Sequence, residues 1–209
     1  VATRYAAWLR EVQGWQAEWE AFVRPHFEDS TSPLRPEFVV GTLQKMLPDD
    51  VILALDSGVH HNWFMQFWQA RRAQSMLNSW GYSSMGFGVC GVMGAQLAAP
   101  DRPCVAVVGD GGFTMAPYVL CTAVEYELPV VWIVWNNFAW GAIRDLQYGL
   151  FDGREIGTAF YKGSSGERYN PDFAAWARAC GTDGYTVTRP QELGPAVEAL
   201  APQLPLKTL

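Results

Sequence analysis

The sequence lacks both a cluster of basic residues and a long apolar run. It has 15 Lys and Arg against 21 Asp and Glu, so its formal net charge is −6. A nucleic-acid-binding surface needs clustered positive charge to meet the phosphates, and this chain offers none. A membrane-spanning helix needs roughly 20 apolar residues in a row, and no run approaches that length. We therefore expect neither a nucleic-acid partner nor a membrane partner.

Cysteine is also scarce. The chain has four cysteines, which form no CxxC pair, and three of them lie in apolar segments. The positions are Cys90, Cys104, Cys121 and Cys180. This usage predicts small, buried apolar side chains in a reducing compartment. We therefore expect the protein to be cytoplasmic.

Apolar runs alternate with segments of helical pattern along most of the chain. Continuous apolar runs at 51–56, 104–108 and 129–135 are typical of parallel strands that are buried on both faces. A weak strand is predicted for QSML and a further one for 184–188, whereas SGVHHNW is predicted to be a loop. Predicted helices cover 4–24, 36–47, 85–99, a segment ending at Glu127, a segment after Asn137, 172–180 and 191–200. Strands that alternate with helices predict an α/β fold with a doubly wound parallel sheet.

The first 30 residues differ in character from the rest. Residues 1–30 are predicted to form a helical tail or linker from a preceding domain. Its helix, predicted for 4–24 and ended by Pro25, carries Trp8, Trp15 and Trp19 at near-helical spacing. We expect that helix to pack on its neighbours through these side chains. Residues 31–209 are predicted to form the sheet domain. Both ends of the chain look cut, so we expect a fragment of a longer polypeptide.

Unusual residues follow three of the predicted strands. They are Asp56-Ser57-Gly58, Gly109-Asp110-Gly111-Gly112 and Asn136-Asn137. Ligands of doubly wound sheets bind beyond the carboxyl ends of the strands, so these segments should converge on one crevice. A carboxylate, an amide oxygen and a nearby backbone carbonyl suit Mg²⁺, and the glycines let a diphosphate approach a helix N-terminus. Taken singly, Asp110 could be a helix N-cap and Asn137 a turn residue, but their βαβ spacing favours the metal site.

A second glycine-rich segment suggests a different cofactor. Gly86, Gly88 and Gly91 match G-x-G-x-x-G. The acid Asp110 follows Gly91 at close to the offset expected for a dinucleotide fingerprint. That fingerprint needs a strong strand directly before its first glycine, and NSWGYSS is a poor strand. The competing interpretation is that Gly88, Gly91 and Gly94 let a helix pack closely on the sheet. An NAD-dependent oxidoreductase is therefore kept as an alternative function.

The arrangement GDG, 24 residues and NN resembles the diphosphate-binding motif of thiamine diphosphate enzymes. The resemblance covers most of residues 36–200 and is closest to the acetolactate synthase-like branch, through DSGVHHNWFMQ, SSMGFGVCGVMGAQLAAPDRP and ELPVVWIVWNN. The segment NNFAWGAIRDLQYGLFDGREIGT resembles sulfoacetaldehyde acetyltransferase. The resemblance implies a thiamine diphosphate-binding fold, with this chain as the C-terminal phosphate-binding domain.

The same resemblance implies roles for individual residues. Asp110 and Asn137 would bind Mg²⁺ through their side chains, and Ala139 through its carbonyl oxygen. Contacts to the diphosphate would come from Ser57, Gly58, Val59, His60, Gly109, Gly111 and Gly112. Met85 would hold the cofactor in a bent form, and the carbonyl of Ser83 would accept a hydrogen bond from its amino group.

Several residues near this site have more than one interpretation. His60 would lie near the reacting centre, where it could transfer a proton or only form a hydrogen bond. Trp140 and Arg144 could face the substrate, although Arg144 could equally lie on a solvated helix face. Leu146 and Val59 stand where acetolactate synthases tend to have tryptophan and glutamine, which counts against acetolactate synthesis itself.

No residue of this chain matches the acid that protonates the pyrimidine ring in this family. Glu125 and Glu127 are predicted to be solvated, and in these enzymes the acid comes from the other catalytic domain of a partner subunit. The resemblance therefore implies a homodimer or homotetramer that acts as a lyase or transferase on a 2-oxo acid, an aldehyde or a 2-hydroxyacyl compound. A non-catalytic partner chain is a further alternative, against which the intact pair of predicted metal ligands counts.

Overall fold

The computed structural model describes residues 4–200, 202 and 204. In that part of the chain, four parallel strands form one sheet in the order β2-β1-β3-β4. The strands are β1 (Ile52–Leu55), β2 (Met76–Asn78), β3 (Cys104–Gly109) and β4 (Val130–Trp135). The helices are α1 (Ala6–Phe27), α2 (Pro36–Met46), α3 (Val59–Phe67), α4 (Phe87–Ala98), α5 (Asp110–Phe113), α6 (Val119–Glu125), α7 (Gly141–Leu150), α8 (Phe173–Ala179) and α9 (Pro190–Glu198).

A hydrophobic layer covers each face of the sheet. Leu53 and Leu55 of β1 pack in a layer with apolar side chains of α2, α3 and α9. Ala54 of β1 and Ala106 of β3 pack in the opposite layer with side chains of α4 and α6. This alternation is expected because successive residues of a strand point to opposite faces. Helices on both faces of a parallel sheet confirm the predicted doubly wound α/β fold.

The order of the strands determines where a ligand can bind. β1 lies between β2 and β3. The chain therefore runs from β1 to β2 on one side of β1 and returns to form β3 on its other side. The crevice of a doubly wound sheet lies at such a switch point, beyond the carboxyl ends of the strands. Asp56 follows β1 and Asp110 follows β3, so both acids lie at this point.

The predicted loop after β1 is wrong, because α3 begins at Val59. Its side chain Phe64 is fully buried and meets the ring of Trp135 edge-on, with the ring centroids 6.3 Å apart. The helical signal was present in the spacing of Trp63, Phe64 and Phe67. The site residues after β1 therefore lie on a helix N-terminus.

The predicted strand at 184–188 is also wrong among the described residues. The carbonyl of Gly184 accepts a hydrogen bond from Arg178 Nη1 at 2.6 Å. The backbone N–H of Thr188 donates to Glu192 Oε2 at 2.8 Å. Backbone groups at both ends of this segment are thus bonded to helix side chains, and the segment does not pair with β4.

Two of the predicted helices differ from the structure close to a proline. The helix predicted to end at Glu127 is divided into α5 and α6, with Pro117 in the gap. Proline removes a helical hydrogen bond and clashes with the preceding turn, which accounts for the division. Pro25 does not end α1, which continues to Phe27.

The first helix forms, but its tryptophans are not packed as predicted. Trp8 and Trp15 are more than half exposed, and Val23 is the buried residue of α1. Trp19 alone of the three stacks on Phe67, with ring centroids 6.1 Å apart. Among the described residues, no helix combines the length and apolar character needed to cross a membrane.

The cysteine prediction holds for one position only. Cys104 is buried in β3, whereas Cys90 and Cys121 are exposed and Cys180 is half-buried. Because α4 turns Cys90 away from the sheet, an apolar neighbourhood in sequence does not ensure burial. All four thiols are free.

Candidate cofactor and metal site

Asp110 is a buried carboxylate at the carboxyl end of β3. It is 2% exposed and is the first residue of α5. Its Oδ1 accepts a hydrogen bond from the N–H of Gly111 at 2.9 Å, and its Oδ2 accepts one from the N–H of Phe138 at 2.7 Å. Burial raises the pKa of Asp110, and hydrogen bonds from Asn170 and from backbone N–H groups oppose that rise.

The turn after β4 is bonded directly to this carboxylate. Phe138, which donates to Asp110, lies between Asn137 and Ala139 and has a left-handed φ of 58°. The Oδ1 of Asn137 accepts a hydrogen bond from the N–H of Ala139 at 3.1 Å. Ala139 is buried and forms an isolated antiparallel bridge with Ala159. The structure thus brings the three residues that were predicted as metal ligands to one place.

This set of donors fits a small divalent cation. A carboxylate, an amide oxygen and a backbone carbonyl are hard oxygen ligands of the type that Mg²⁺ prefers. Oδ1 of Asp110 accepts one hydrogen bond, so one of its two lone pairs is left for a ligand. The described residues contain no group of three His, Cys, Asp or Glu side chains that could hold a metal. Mg²⁺ suits the smaller set because it usually keeps waters or phosphate oxygens.

The two glycines after Asp110 lie against other side chains of the protein. A Cβ atom on Gly111 would overlap the ring of Trp140, which in turn meets Phe160 edge-on. A Cβ atom on Gly112 would lie 2.9 Å from Oδ2 of Asp56. Close internal packing therefore explains by itself why both positions are glycine. Their backbone contacts to a diphosphate stay a prediction.

The residues after β1 form the beginning of α3. Gly58 is the N-cap, with φ of 147°, and no side chain caps this helix. Ser57 and Val59 on either side of it are partly exposed. An uncapped helix N-terminus leaves backbone N–H groups free to meet an anion. The segment predicted to contact the diphosphate therefore offers donors at the switch point.

His60 lies beneath this segment and is 2% exposed. A Cβ atom on Gly58 would lie 2.6 Å from its Cε1 atom, and one on Gly109 would lie 3.4 Å from the same atom. Burial lowers the pKa of His60 to about 4, although hydrogen bonding to the backbone of Asp56 and Val107 opposes the shift. Its Nε2 is buried without a partner among the described residues. A neutral imidazole of this kind suits hydrogen bonding better than proton transfer near pH 7.

Asp56 was noted in the sequence without a defined role, and the structure gives it one. This buried carboxylate accepts hydrogen bonds from the N–H of Ser57 at 2.7 Å and from the N–H of Gly86 at 2.9 Å. Backbone N–H groups of Phe87 and Gly88 also bond to it and lower its pKa, although burial has the larger effect and raises it. Asp56 therefore joins the end of β1 to the N-terminus of α4.

The same contact counts against a dinucleotide at the second glycine segment. A pyrophosphate would need the N-terminus of α4, which the carboxylate of Asp56 already occupies. Turn residues also separate Gly86 from the end of β2. A Cβ atom on Gly88 would lie 2.8 Å from the backbone nitrogen of Asp56, so this glycine packs closely on the sheet as predicted. Gly91 and Gly94 do not contact the sheet, and for them that prediction is wrong.

The segment with Ser83 and Met85 borders the same edge of the sheet. The hydroxyl groups of Ser57 and Ser83 are 2.8 Å apart, and Ser83 has a left-handed φ of 51°. Met85 is 38% exposed, so it is not an ordinary core methionine. A small pocket opens here, lined by Leu55, Asp56, Ser57, His61, Asn78, Ser79, Trp80 and Ser83.

The remaining sequence candidates lie nearer the surface. Glu125 and Glu127 are exposed, as predicted. Arg144 is partly buried and lies 3.9 Å from Asp145, measured between Nε and Oδ1. Leu146 is exposed on the same helix. None of these side chains contacts the carboxylate of Asp110.

One residue of the site was missed by the sequence analysis. Asn170 donates from Nδ2 to Oδ2 of Asp110 at 2.7 Å and to Oδ1 of Asn136 at 2.6 Å. It precedes Pro171 in a segment without regular structure, so no periodicity marks it. Only the folded chain brings it next to a residue 60 positions away.

Comparison with known proteins gives a family that agrees with this geometry. Residues 56–205 match the model for "Thiamine pyrophosphate enzyme, C-terminal TPP binding domain". The chain is similar in fold to the thiamine diphosphate-dependent 4-hydroxybenzoylformate decarboxylase of Rhodococcus jostii RHA1. That match has a TM-score of 0.70 and 25% identity, and it covers 81% of this chain and 30% of the decarboxylase.

Three relatives from curated sequences point the same way. A thiamine pyrophosphate-containing protein of Bacillus subtilis (strain 168), YdaP, is 35% identical over 85% of this chain and 30% of its own length. The acetolactate synthase large subunit of Corynebacterium glutamicum is 32% identical over 91% of this chain and 30% of its own length. The sulfoacetaldehyde acetyltransferase of Alcaligenes xylosoxydans xylosoxydans is 28% identical over 95% of this chain and 33% of its own length.

Both resemblances noted in the sequence are thus confirmed at the level of the family. The chain spans about a third of the length of the curated relatives it matches. The family match begins at Asp56 and so includes both strand-end acids. With the relatives, it supports one conclusion: this chain belongs to the thiamine pyrophosphate enzymes, in the acetolactate synthase-like branch, and matches their C-terminal TPP binding domain.

Proposed function

We propose that this chain supplies the diphosphate- and Mg²⁺-binding half of a thiamine diphosphate-dependent enzyme that makes or breaks carbon–carbon bonds. One observation carries the proposal. The turn that contains Asn137 and Ala139 is bonded through the N–H of Phe138 to the buried carboxylate of Asp110. Three hard oxygen donors therefore share the carboxyl edge of the sheet beside an uncapped helix N-terminus.

The proposal assigns a role to each group at this edge. Asp110 and Asn137 would hold Mg²⁺ by side-chain oxygens and Ala139 by its carbonyl oxygen. The N–H groups at the start of α3 would meet the diphosphate, and Ser57 and Gly58 would give it a close backbone approach. Neutral His60 would hold Ser57 and Gly58 in place, because its buried ring packs against Gly58 and Gly109.

When bound, thiamine diphosphate supplies a carbanion that adds to a carbonyl group and then accepts electrons from it. The protein has to anchor the cofactor, orient it and exclude water. Met85 would provide the apolar contact that holds the cofactor bent, and the carbonyl of Ser83 would accept a hydrogen bond from it. The left-handed backbone of Ser83 and its hydroxyl contact with Ser57 fix the segment that bears both residues.

We propose a second, pyrimidine-binding domain, in the same or a partner subunit of a homodimer or homotetramer in the cytoplasm, which provides the catalytic acid. The substrate would be a 2-oxo acid, an aldehyde or a 2-hydroxyacyl compound. The names of the relatives support this range, since they include a synthase, an acetyltransferase and a decarboxylase.

A calorimetric titration of the full-length protein with thiamine diphosphate tests this function. We expect saturable binding that requires Mg²⁺, because the metal neutralises the diphosphate and fixes it to Asp110 and Asn137. NAD serves as the comparison ligand, since its pyrophosphate would need the helix terminus that Asp56 occupies. Binding of NAD without binding of thiamine diphosphate would overturn the proposal and restore the alternative.

A further inference from the structure

The hydrogen bonds around Asp110 leave its two oxygens unequal. Oδ2 accepts from the N–H of Phe138 at 2.7 Å and from Nδ2 of Asn170 at 2.7 Å. Oδ1 accepts from the N–H of Gly111 at 2.9 Å. Because a carboxylate oxygen has two lone pairs, Oδ2 is filled and Oδ1 keeps one direction for a further ligand.

Asn170 is the side chain that creates this inequality. Without it, Oδ2 would lose its side-chain donor, and only backbone N–H groups would remain around the carboxylate. Asn170 also donates its second amide hydrogen to Oδ1 of Asn136 at 2.6 Å. The bond ties the first residue of the Asn136-Asn137 pair to Asp110, so one amide group links both sides of the predicted metal site.

The backbone on both sides of Asn170 is held by other hydrogen bonds. The N–H of Tyr169 donates to the carbonyl of Phe160 at 3.0 Å. On the other side, Oδ1 of Asp172 accepts from the N–H of Ala175 at 2.9 Å and caps α8. Both neighbours thus hold the segment by bonds of their own, which leaves the amide of Asn170 free for a role towards Asp110.

We propose that Asn170 is a positioning residue for the metal: it occupies Oδ2 of Asp110 and so directs Mg²⁺ to Oδ1. This inference rests on the proposed function, since it concerns the same metal. Partners that orient a metal ligand in this way typically change metal affinity by roughly 10- to 100-fold when they are removed. The effect should appear in the affinity for Mg²⁺ and not in the amount of cofactor bound once Mg²⁺ is saturating.

The test is equilibrium dialysis of the full-length protein with thiamine diphosphate over a series of Mg²⁺ concentrations. Asn170→Ala removes the amide, and Asn170→Leu removes it while keeping its approximate volume. We expect both variants to need roughly 10- to 100-fold more Mg²⁺ for half-maximal cofactor retention. At saturating Mg²⁺, retention should return to that of the unmodified protein.

Asp172→Ala is the matched control, because it removes the cap of α8 two residues away without touching Asp110. It should lower the thermal midpoint of the metal-free protein and leave the half-saturating Mg²⁺ concentration unchanged. Equal Mg²⁺ requirements in the Asn170 variants and the unmodified protein would overturn the role of Asn170. A shift of the same size in Asp172→Ala would do so too, since it would show a general loosening. Lack of any Mg²⁺ dependence in the unmodified protein would instead overturn the proposed function.

Discussion

Two buried aspartates end neighbouring strands of the sheet, and their surroundings differ. Asp56 follows β1 and is bonded to backbone N–H groups of its own loop and of α4. Asp110 follows β3 and is bonded to N–H groups of two different turns and to Asn170. Burial raises the pKa of both carboxyl groups.

The two carboxylates differ in the lone pairs that remain for a further ligand. Oδ1 of Asp56 accepts two backbone N–H groups, and Oδ2 also receives the N–H of Gly86. Oδ1 of Asp110 accepts a hydrogen bond from the N–H of Gly111, and the turn with Asn137 and Ala139 is bonded to the same carboxylate through Phe138. Position at the carboxyl end of a strand is therefore not sufficient reason to assign a metal ligand, and we propose the metal at Asp110 and a structural role for Asp56.

The largest expected effect is on the cofactor. Asp110→Ala and, separately, Asn137→Ala should abolish Mg²⁺-dependent retention of thiamine diphosphate, because each removes a side-chain ligand from a site with few protein donors. The circular dichroism spectrum should stay that of the unmodified protein. Retention in both variants equal to that of the unmodified protein would remove the distinction between the two acids.

Asp56→Ala should act mainly on the fold. The change leaves partly buried backbone N–H groups at the start of α4 without this acceptor, and hydrogen bonds to a charged group contribute substantially to stability. We expect a loss of about 3 kcal/mol in the free energy of unfolding, measured with urea. The exposed acid Asp101 provides the control, since Asp101→Ala should change the same quantity by less than about 0.5 kcal/mol. A loss in Asp56→Ala no larger than in that control would contradict the structural role.

A smaller effect is expected from the titration of His60. Because its pKa falls from 6.5 to about 4 on folding, the stability it contributes is present above pH 6.5 and is lost as the pH falls towards 4. We expect the free energy of unfolding to fall by about 2 kcal/mol between pH 7 and pH 5 through this residue. His60→Gln should lack this loss, so the difference between the two urea-unfolding series isolates it. Parallel series would show that His60 is accessible to protons in the folded state.

The sequence allowed the sheet to be predicted, and with it the proximity of Asp110 to the turn that contains Asn137. Continuous apolar runs predicted three of the four strands because strands buried on both faces carry no polar alternation, and the fourth, β2, was predicted only as the weak strand QSML. The segment 184–188 failed because strand structure depends on pairing, and side chains of Arg178 and Glu192 bond its ends instead. The Asp110 and Asn137 pair was predictable from βαβ spacing. Asn170 was not, since it reaches Asp110 across 60 positions from an irregular segment.

The anchoring of α4 by Asp56 has a consequence for the residues before it. The chain from 79 to 85 is fixed at one end by the pairing of Asn78 in β2 and at the other by the bond of Gly86 to Asp56. Ser83 ties its middle to Ser57. Met85 is therefore partly exposed to solvent, although the backbone that bears it is already ordered. A ligand that packs on Met85 would not have to order this segment, so the loss of conformational entropy on binding would be smaller. Asp56, which has no direct contact with the ligand in this proposal, thereby orders the segment that presents Met85.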